Sequence, residues 1–133
     1  MGDVEISFDP ALIDFRRTSD LLKESYWGQG RSDEGLRRAF ANSLCAGAYI
    51  DGKQVGFARV ISDYAYFAYL CDVIVWPSSR GVGIGKQLVR AVLDHPDLAG
   101  VASWALRTTD AHGLYTGFGF AAANDGMFMR LER

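Results

Sequence analysis

The chain has 133 residues, of which 49% are hydrophobic and 23% charged, with a formal net charge of -2 and a pI near 5.6. This composition indicates a single domain, residues 1–133, and the slightly acidic balance argues against nonspecific binding to nucleic acid. The sequence shows no apolar run long enough to cross a membrane and no signal-peptide pattern, so we expect a cytoplasmic protein. Cys45 and Cys71 have apolar neighbours and are interpreted as reduced core residues, and no Cys/His cluster has metal-ligand spacing.

The predicted elements alternate between strands and helices along the chain. The first are a strand at residues 4–8, a helix at 12–25, a loop at 26–31 and a second helix that Ser32 or Asp33 can cap. A hairpin follows, with strands at 48–50 and 55–61, because Asp51-Gly52 favours a tight turn. The remaining elements are a strand at 66–76, a helix at 81–95 that Pro96 ends, a strand at 102–107, a short helix at 110–118 and a last strand region at 120–131. This order indicates a mixed α/β sheet.

The most informative segment is the glycine-rich turn between the strand at 66–76 and the helix at 81–95. Gly81, Gly83 and Gly85 leave backbone N–H groups uncovered at the start of a helix, where the helix dipole also favours an anion. Arg80 and Lys86 add a full positive charge on either side. The segment therefore predicts a binding site for a phosphate or pyrophosphate.

Two common phosphate-binding patterns do not fit this turn. A Walker loop requires Ser or Thr after Gly-Lys, and here Gln87 follows Lys86. A dinucleotide fingerprint requires a third glycine where Lys86 stands. Residues 80–85 instead match [QR]-x-x-G-x-[GA], and about 30 residues later the run 114–120 has Tyr115 four residues before a Gly-Phe pair. On these two motifs, over roughly residues 48–120, the chain resembles the GNAT-type N-acetyltransferases.

The resemblance implies a fold and an activity. The fold is a single-domain α/β (α+β) structure, in which a mixed, mostly antiparallel central sheet is flanked by helices. A V-shaped splay separates the two strands around the cofactor helix. The activity is transfer of the acetyl group of acetyl-CoA, without a metal, to a primary amine of a small metabolite by direct attack in a ternary complex. Two alternatives stay open: a CoA-binding sensor or partner protein with little transferase activity, and a protein or peptide N-acetyltransferase. A homodimer also stays open, because sheet edges and helices are available.

The resemblance also implies the residues that contact the cofactor. The backbone of the glycine-rich turn would face the pyrophosphate, and the strand before it would meet the pantetheine arm, with an oxyanion donor near Val73. These expected cofactor contacts are Val73, Val75, Arg80, Gly81, Val82, Gly83, Ile84, Gly85 and Lys86.

Three residues are candidates for proton transfer. Tyr115 matches the family's leaving-group acid, and a phenol with a pKa near ~10 suits protonation of a thiolate; the alternative is a core aromatic. Asp72 is the first candidate for organising the water that takes the amine proton; the alternative is a strand carboxylate bonded to nearby backbone or to a partner charge. His112 is the second candidate for the base, because it shares a helix face with Tyr115. The alternative is that His112 only caps or packs the start of the helix.

The acceptor pocket is expected near the loop at 26–31 and the aromatic-rich start of the strand at 66–76. Its candidate residues are Tyr26, Trp27, Arg31 and Tyr66. Aromatic rings there suit an apolar or cationic amine, and Arg31 or Arg59 suits a carboxylate. The alternative is that most of these aromatic residues only pack the sheet.

Overall fold

A five-stranded sheet forms the centre of the computed structural model, which describes residues 2–123 and 126–133. Its strands, in spatial as well as chain order, are β1 (Val4–Ser7), β2 (Leu44–Ile50), β3 (Lys53–Ser62), β4 (Phe67–Val75) and β5 (Ser103–Leu106). The first four strands are antiparallel neighbours, whereas β5 runs parallel to β4. The mixed, mostly antiparallel sheet expected from the sequence is therefore confirmed.

Four α-helices accompany the sheet in the described part of the chain: α1 (Phe15–Glu24), α2 (Asp33–Ala41), α3 (Ile84–Leu93) and α4 (His112–Thr116). Ser32 caps α2, as expected, because its side chain accepts a hydrogen bond from the backbone N–H of Gly35. The helix expected from residue 12 begins later because Pro10–Leu12 forms a separate 3₁₀ turn and Asp14 caps α1. None of the described helices is long and apolar enough to cross a membrane.

The helices cover both faces of the sheet. On one face α3 buries Ile84, Leu88, Val89 and Val92, each at most 1% exposed, against the central strands. The approach is close at Gly56 of β3, where an added Cβ would lie 3.0 Å from a Leu88 methyl group. On the other face α1 and α2 cover a smaller core of Leu22, Leu36, Cys45, Phe57 and Ile74. Both faces of the central strands are thus buried, which explains their nearly continuous apolar runs.

A β-bulge in β4 changes which residues face each core. Arg59 of β3 pairs with Asp72, but the next residue, Val60, pairs with Leu70, so Cys71 is an extra residue. Before the bulge Leu70 packs in the α3 core, and after it Val73 packs there. Because side chains alternate along a strand, this extra residue turns Asp72 towards the α1 and α2 side.

Strands β4 and β5 stay paired over only part of their length. The paired residues run from Phe67 with Ser103 to Leu70 with Leu106, where β5 ends. Strand β4 continues to Val75, so its last five residues have no partner on the β5 side. This opening, immediately before the glycine-rich turn, is the splay that the family resemblance implies.

The strand expected at residues 120–131 is wrong for the described residues. No strand is formed by 120–123 or 126–131, while Asn124 and Asp125 lie outside the described residues. The side chains of Met127, Phe128, Met129 and Leu131 are 73–90% exposed. Three consecutive apolar residues followed by Arg130 lack the alternation of a half-buried strand. The hydrophobicity of this segment therefore does not correspond to a strand.

Candidate active site

The glycine-rich turn presents a row of free backbone donors. Gly81 and Gly83 have φ angles of +85° and +87°, and an added Cβ at either position would meet nothing within 4 Å. The first backbone hydrogen bond of α3 runs from the N–H of Gln87 to the carbonyl of Gly83, at 3.1 Å. The six N–H groups of residues 81–86 have no acceptor within the described residues. At the N-terminus of a ten-residue helix, this arrangement is suited to hold an anion.

The two cations beside this turn are placed differently. The Nε atom of Arg80 donates to the carbonyl of Val75 at 2.9 Å, so the arginine ties the turn to the end of β4. Lys86, exposed in the first turn of α3, forms no ion pair with any described residue. The guanidinium group of Arg80 is therefore held in place, whereas the ammonium group of Lys86 is free to move towards a ligand.

A buried ionic cluster lies on the face of β4 that is turned towards α1 and α2. The Asp72 side chain is 0% exposed and accepts hydrogen bonds from Trp27 Nε1 at 2.8 Å and from Arg59 Nε at 2.8 Å. Arg31 Nη1 lies 3.1 Å from both carboxylate oxygens. A carboxylate offers about four lone-pair sites, and these four contacts occupy them. The signal for this cluster was present in the sequence, because Arg59 and Asp72 each interrupt an apolar strand and a buried charge requires a partner.

The loop between α1 and α2 is held against the sheet by hydrogen bonds to β4 and to the segment after β5. Trp27 and Arg31 bind Asp72 of β4, while the Tyr26 hydroxyl accepts a hydrogen bond from the backbone N–H of Thr109, at 3.4 Å. The rings of Tyr26 and Trp27 pack edge to face with centroids 4.9 Å apart. Tyr26, Trp27 and Arg31 are therefore brought together with Asp72 and with the segment that leads into α4.

Tyr115 lies on α4 next to this loop. Its half-buried ring packs edge to face against Phe120, 6.0 Å between centroids, and its hydroxyl has no hydrogen-bond partner within residues 2–123 and 126–133. Burial, with smaller contributions from Tyr26 and Asp110, raises the pKa of Tyr115 above its ordinary value. The phenol thus stays protonated at neutral pH. His112, the first residue of α4, is exposed one helical turn before it.

Tyr66 is separated from the other candidate residues. It lies in the turn between β3 and β4, is 83% exposed, and its backbone N–H donates to the Asp63 carboxylate at 2.8 Å. Six residues of mostly extended strand separate it from Asp72, a distance of about 20 Å. The structure brings Tyr66 close neither to the ionic cluster nor to the glycine-rich turn.

Both cysteines are free thiols, as expected; Cys45 is buried and Cys71 is half-buried. Burial raises the pKa of Cys45 to about 12 and that of Cys71 to about 11. The Cys71 thiol donates to the carbonyl of Arg59 at 3.2 Å. A thiol with such a pKa is a poor nucleophile at neutral pH. Among the described residues no group of three His, Cys, Asp or Glu side chains could hold a metal ion.

Comparison with known proteins identifies the family. The sequence profile of the Acetyltransferase (GNAT) family matches residues 14–120. The chain belongs to this family. It is 31% identical over 103 residues to serotonin N-acetyltransferase 2, chloroplastic, of Oryza sativa subsp. japonica, covering 73% of this chain and 52% of the rice enzyme. The chain spans between 30% and 62% of the length of the curated relatives that it matches.

Solved structures of this acetyltransferase family share the fold. A protein assigned to the GNAT acetyltransferases from Xanthomonas campestris pv. campestris superposes with a TM-score of 0.93 and 43% identity, covering 99% of this chain and 95% of that one. An aminoglycoside N-acetyltransferase in complex with CoA superposes with a TM-score of 0.71 and 21% identity, covering 98% of this chain and 95% of that one. The likeness to the second extends to the fold alone.

Proposed function

We propose that this GNAT family member is an acetyl-CoA-dependent N-acetyltransferase that acetylates a primary amine of a small metabolite. The observation that carries the proposal is the row of six unpartnered N–H groups at residues 81–86, shortly after the part of β4 that has no partner on the β5 side. A thioester cofactor with a pyrophosphate and a long extended arm needs both features, a cradle for the anion and an open strand edge for the arm. Serotonin acetylation by the rice relative is consistent with an amine acceptor.

Acetyl-CoA fits the residues that are present. The open space above Gly81 and Gly83 would accept a phosphate oxygen, and the free N–H groups together with Lys86 would bind the pyrophosphate. Val73 and Val75, which pair with β3 but have no partner on the β5 side, would contact the pantetheine arm. When bound, acetyl-CoA supplies an acetyl group activated as a thioester.

Tyr115 is proposed as the acid that protonates the leaving sulfur. The neutral amine forms a bond to the acetyl carbon, the carbon–sulfur bond breaks, and the sulfur takes the Tyr115 proton as it leaves. The phenolate then regains a proton from water. A free hydroxyl and a raised pKa support this role, because the proton is available and is retained until the thiolate forms. The half-buried ring, packed against Phe120, restricts the direction of the donor.

The amine proton is proposed to leave through water to His112 rather than to Asp72. All four acceptor positions of Asp72 are occupied by two guanidinium groups and an indole, which leaves no lone pair directed at a substrate. His112 is exposed and shares a helix face with Tyr115. Asp72 is then a positioning residue that holds the acceptor loop, through Trp27 and Arg31, against the sheet.

The size of the acceptor region favours a small molecule over a peptide. A cavity of about 410 Å³ lies between α2 and Arg59, and Arg31 and Arg59 of its lining both pair with Asp72. Cavities of a few hundred cubic ångströms are typical for metabolite-sized ligands. A larger cavity of about 500 Å³, lined by Arg17, Tyr49 and Lys53, lies at the β2–β3 turn and contains neither of the two arginines that pair with Asp72.

Cofactor binding is the first test. Thermal unfolding is recorded with acetyl-CoA, and with NADH and ATP as controls; a ligand at ~100 times its Kd adds about 2.7 kcal/mol, or a Tm rise of several degrees. Only acetyl-CoA should raise the Tm. Thiol release from acetyl-CoA is then measured with a panel of amines and a panel of peptides. Stabilisation without thiol release from any acceptor would favour a CoA sensor, and release with peptides alone would favour a peptide acceptor.

A further inference from the structure

Two guanidinium groups share one carboxylate beneath the acceptor loop. Arg31 and Arg59 both pair with Asp72, at 3.1 and 2.8 Å, and their side chains are only 30% and 9% exposed. The other polar partner of Arg59 is the uncharged Ser43 hydroxyl, 3.0 Å from Nη1. The cluster therefore contains two positive charges and one negative charge among the described residues. A buried excess charge is costly unless a counter-charge approaches it, so this cluster favours a monoanion.

Both arginines keep donors free for such an anion. Arg59 uses Nε for Asp72 and Nη1 for Ser43, and its Nη2 has no partner in the described part of the chain. Arg31 uses only Nη1, so its Nε and Nη2 are also free. The planar guanidinium fork matches the two oxygens of a carboxylate better than a single ammonium group does.

A cavity connects these free donors to the exterior. Arg31 and Arg59 both line the cavity of about 410 Å³, together with Gly30, Ser32 and Gly35 at the start of α2. The two glycines leave room beside the guanidinium groups, and Arg59, at 7% exposure, forms part of its wall. Because Asp72 follows the bulge in β4, the cavity lies on the same side of the strand as the acceptor loop.

We propose that the acceptor is an amino-carboxylate, such as an α- or β-amino acid, whose carboxylate binds between Arg31 and Arg59. This inference rests on the proposed N-acetyltransferase function and names its substrate class. One carboxylate would neutralise the excess positive charge of the cluster and accept hydrogen bonds from the free N–H groups of both guanidinium groups. The proposal requires the amine end to reach the opening beside β4, the strand that pairs directly with the strand of Arg59.

The first experiment compares acceptors that differ only in the carboxylate. The pairs are L-alanine with ethylamine, L-leucine with isoamylamine and L-phenylalanine with phenethylamine, with β-alanine added to vary the spacing. Acetyl transfer is followed as thiol release, and kcat/KM is measured for each. Loss of a charged hydrogen-bonding partner lowers kcat/KM by about 10- to 100-fold, so at least one carboxylated member should exceed its partner by that factor.

Variants of Arg31 separate carboxylate binding from a purely structural role. Arg31→Gln removes the fork and should abolish the preference within a pair, whereas a structural defect would lower both members of the pair equally. Arg31→Lys keeps the charge and should restore part of the preference. Arg38→Gln is the matched control, because Arg38 is exposed on α2, the helix that follows the loop of Arg31, and its side chain makes no ion pair among the described residues. It should leave the preference unchanged.

A binding measurement tests the inference without turnover. N-acetyl-L-leucine and N-isoamylacetamide are titrated by calorimetry into the full chain, with and without CoA. The wild-type protein should bind the carboxylated compound at least about 10-fold more tightly, and Arg31→Gln should lose this difference. Equal binding within the pair, or equal kcat/KM within every acceptor pair, would overturn the inference. Absence of acetyl-CoA binding would instead refute the proposed function. The titration without CoA would still show whether the protein prefers the carboxylated compound.

Discussion

Replacing Gly83 with alanine should separate folding from cofactor binding. Gly83 has a φ angle of +87°, which costs a non-glycine residue roughly 1–2 kcal/mol. The added methyl group would meet no described atom within 4 Å, so no steric clash adds to this cost. For a domain of this size the Tm should fall by roughly 3–8 °C. The variant should therefore still fold.

The same methyl group should strongly weaken binding of acetyl-CoA. It would occupy open space beside the free N–H groups of residues 81–86, where a phosphate oxygen must approach to about 2.7–2.9 Å. A hydrogen bond to a charged group contributes about 1.5–3 kcal/mol, so losing two of them costs about 3–6 kcal/mol. The Kd should rise at least about 100-fold.

Gly52→Ala is the matched control for this substitution. Gly52 also has a positive φ, +77°, and also open space around its missing Cβ, but it lies in the β2–β3 turn. Both variants should lose similar stability, whereas only Gly83→Ala should lose the Tm rise caused by acetyl-CoA. If Gly83→Ala binds acetyl-CoA as tightly as the wild type in calorimetry, the glycine-rich turn is not the phosphate site and the reasoning fails.

Three further substitutions or conditions test the site. Tyr115→Phe should lower kcat by about 10²- to 10⁴-fold in the thiol-release assay, with little change in acetyl-CoA affinity, because it removes only the acidic proton. Asp72→Asn should destabilise the fold by about 3 kcal/mol, because it leaves two largely buried guanidinium groups without a carboxylate. Alkylation of Cys45 and Cys71 by iodoacetamide at pH 8 should be slow in the folded protein, since burial raises their pKa values to about 12 and about 11.

Each of these expectations has its own control. Unchanged turnover in Tyr115→Phe would remove the residue from the acid role. Asp94→Asn removes an exposed carboxylate that pairs with Arg90 on α3, and a Tm loss equal to that of Asp72→Asn would contradict the buried-cluster argument. For the thiols, unfolding in denaturant should make both react quickly. Because the folded pKa values are raised, the free energy of unfolding should also fall as pH increases from about 9 to about 11.

Several elements were predictable because their determinants are local. The Asp51-Gly52 turn, the Ser32 cap and the glycine-rich turn at residues 80–86 each depend on neighbouring residues, and each was located from the sequence. A helix or tight turn closes its own hydrogen bonds within a few residues. The family also followed from two short motifs. The last strand region failed because a strand requires a partner elsewhere in the chain, which hydrophobicity does not reveal.

The sequence by itself determined the glycine-rich turn that opens α3, the order of most elements and the position of Tyr115 four residues before a Gly-Phe pair. Only the tertiary structure decided what surrounds Asp72. The bulge at Cys71 changes which face of the sheet the following side chains point to. The Asp72 carboxylate therefore meets Trp27 and Arg31 of the α1–α2 loop and Arg59 of β3. The facing of a strand depends on register between distant segments, and a single extra residue inverts it. The charge balance around Asp72 is therefore a property of the fold rather than of any motif.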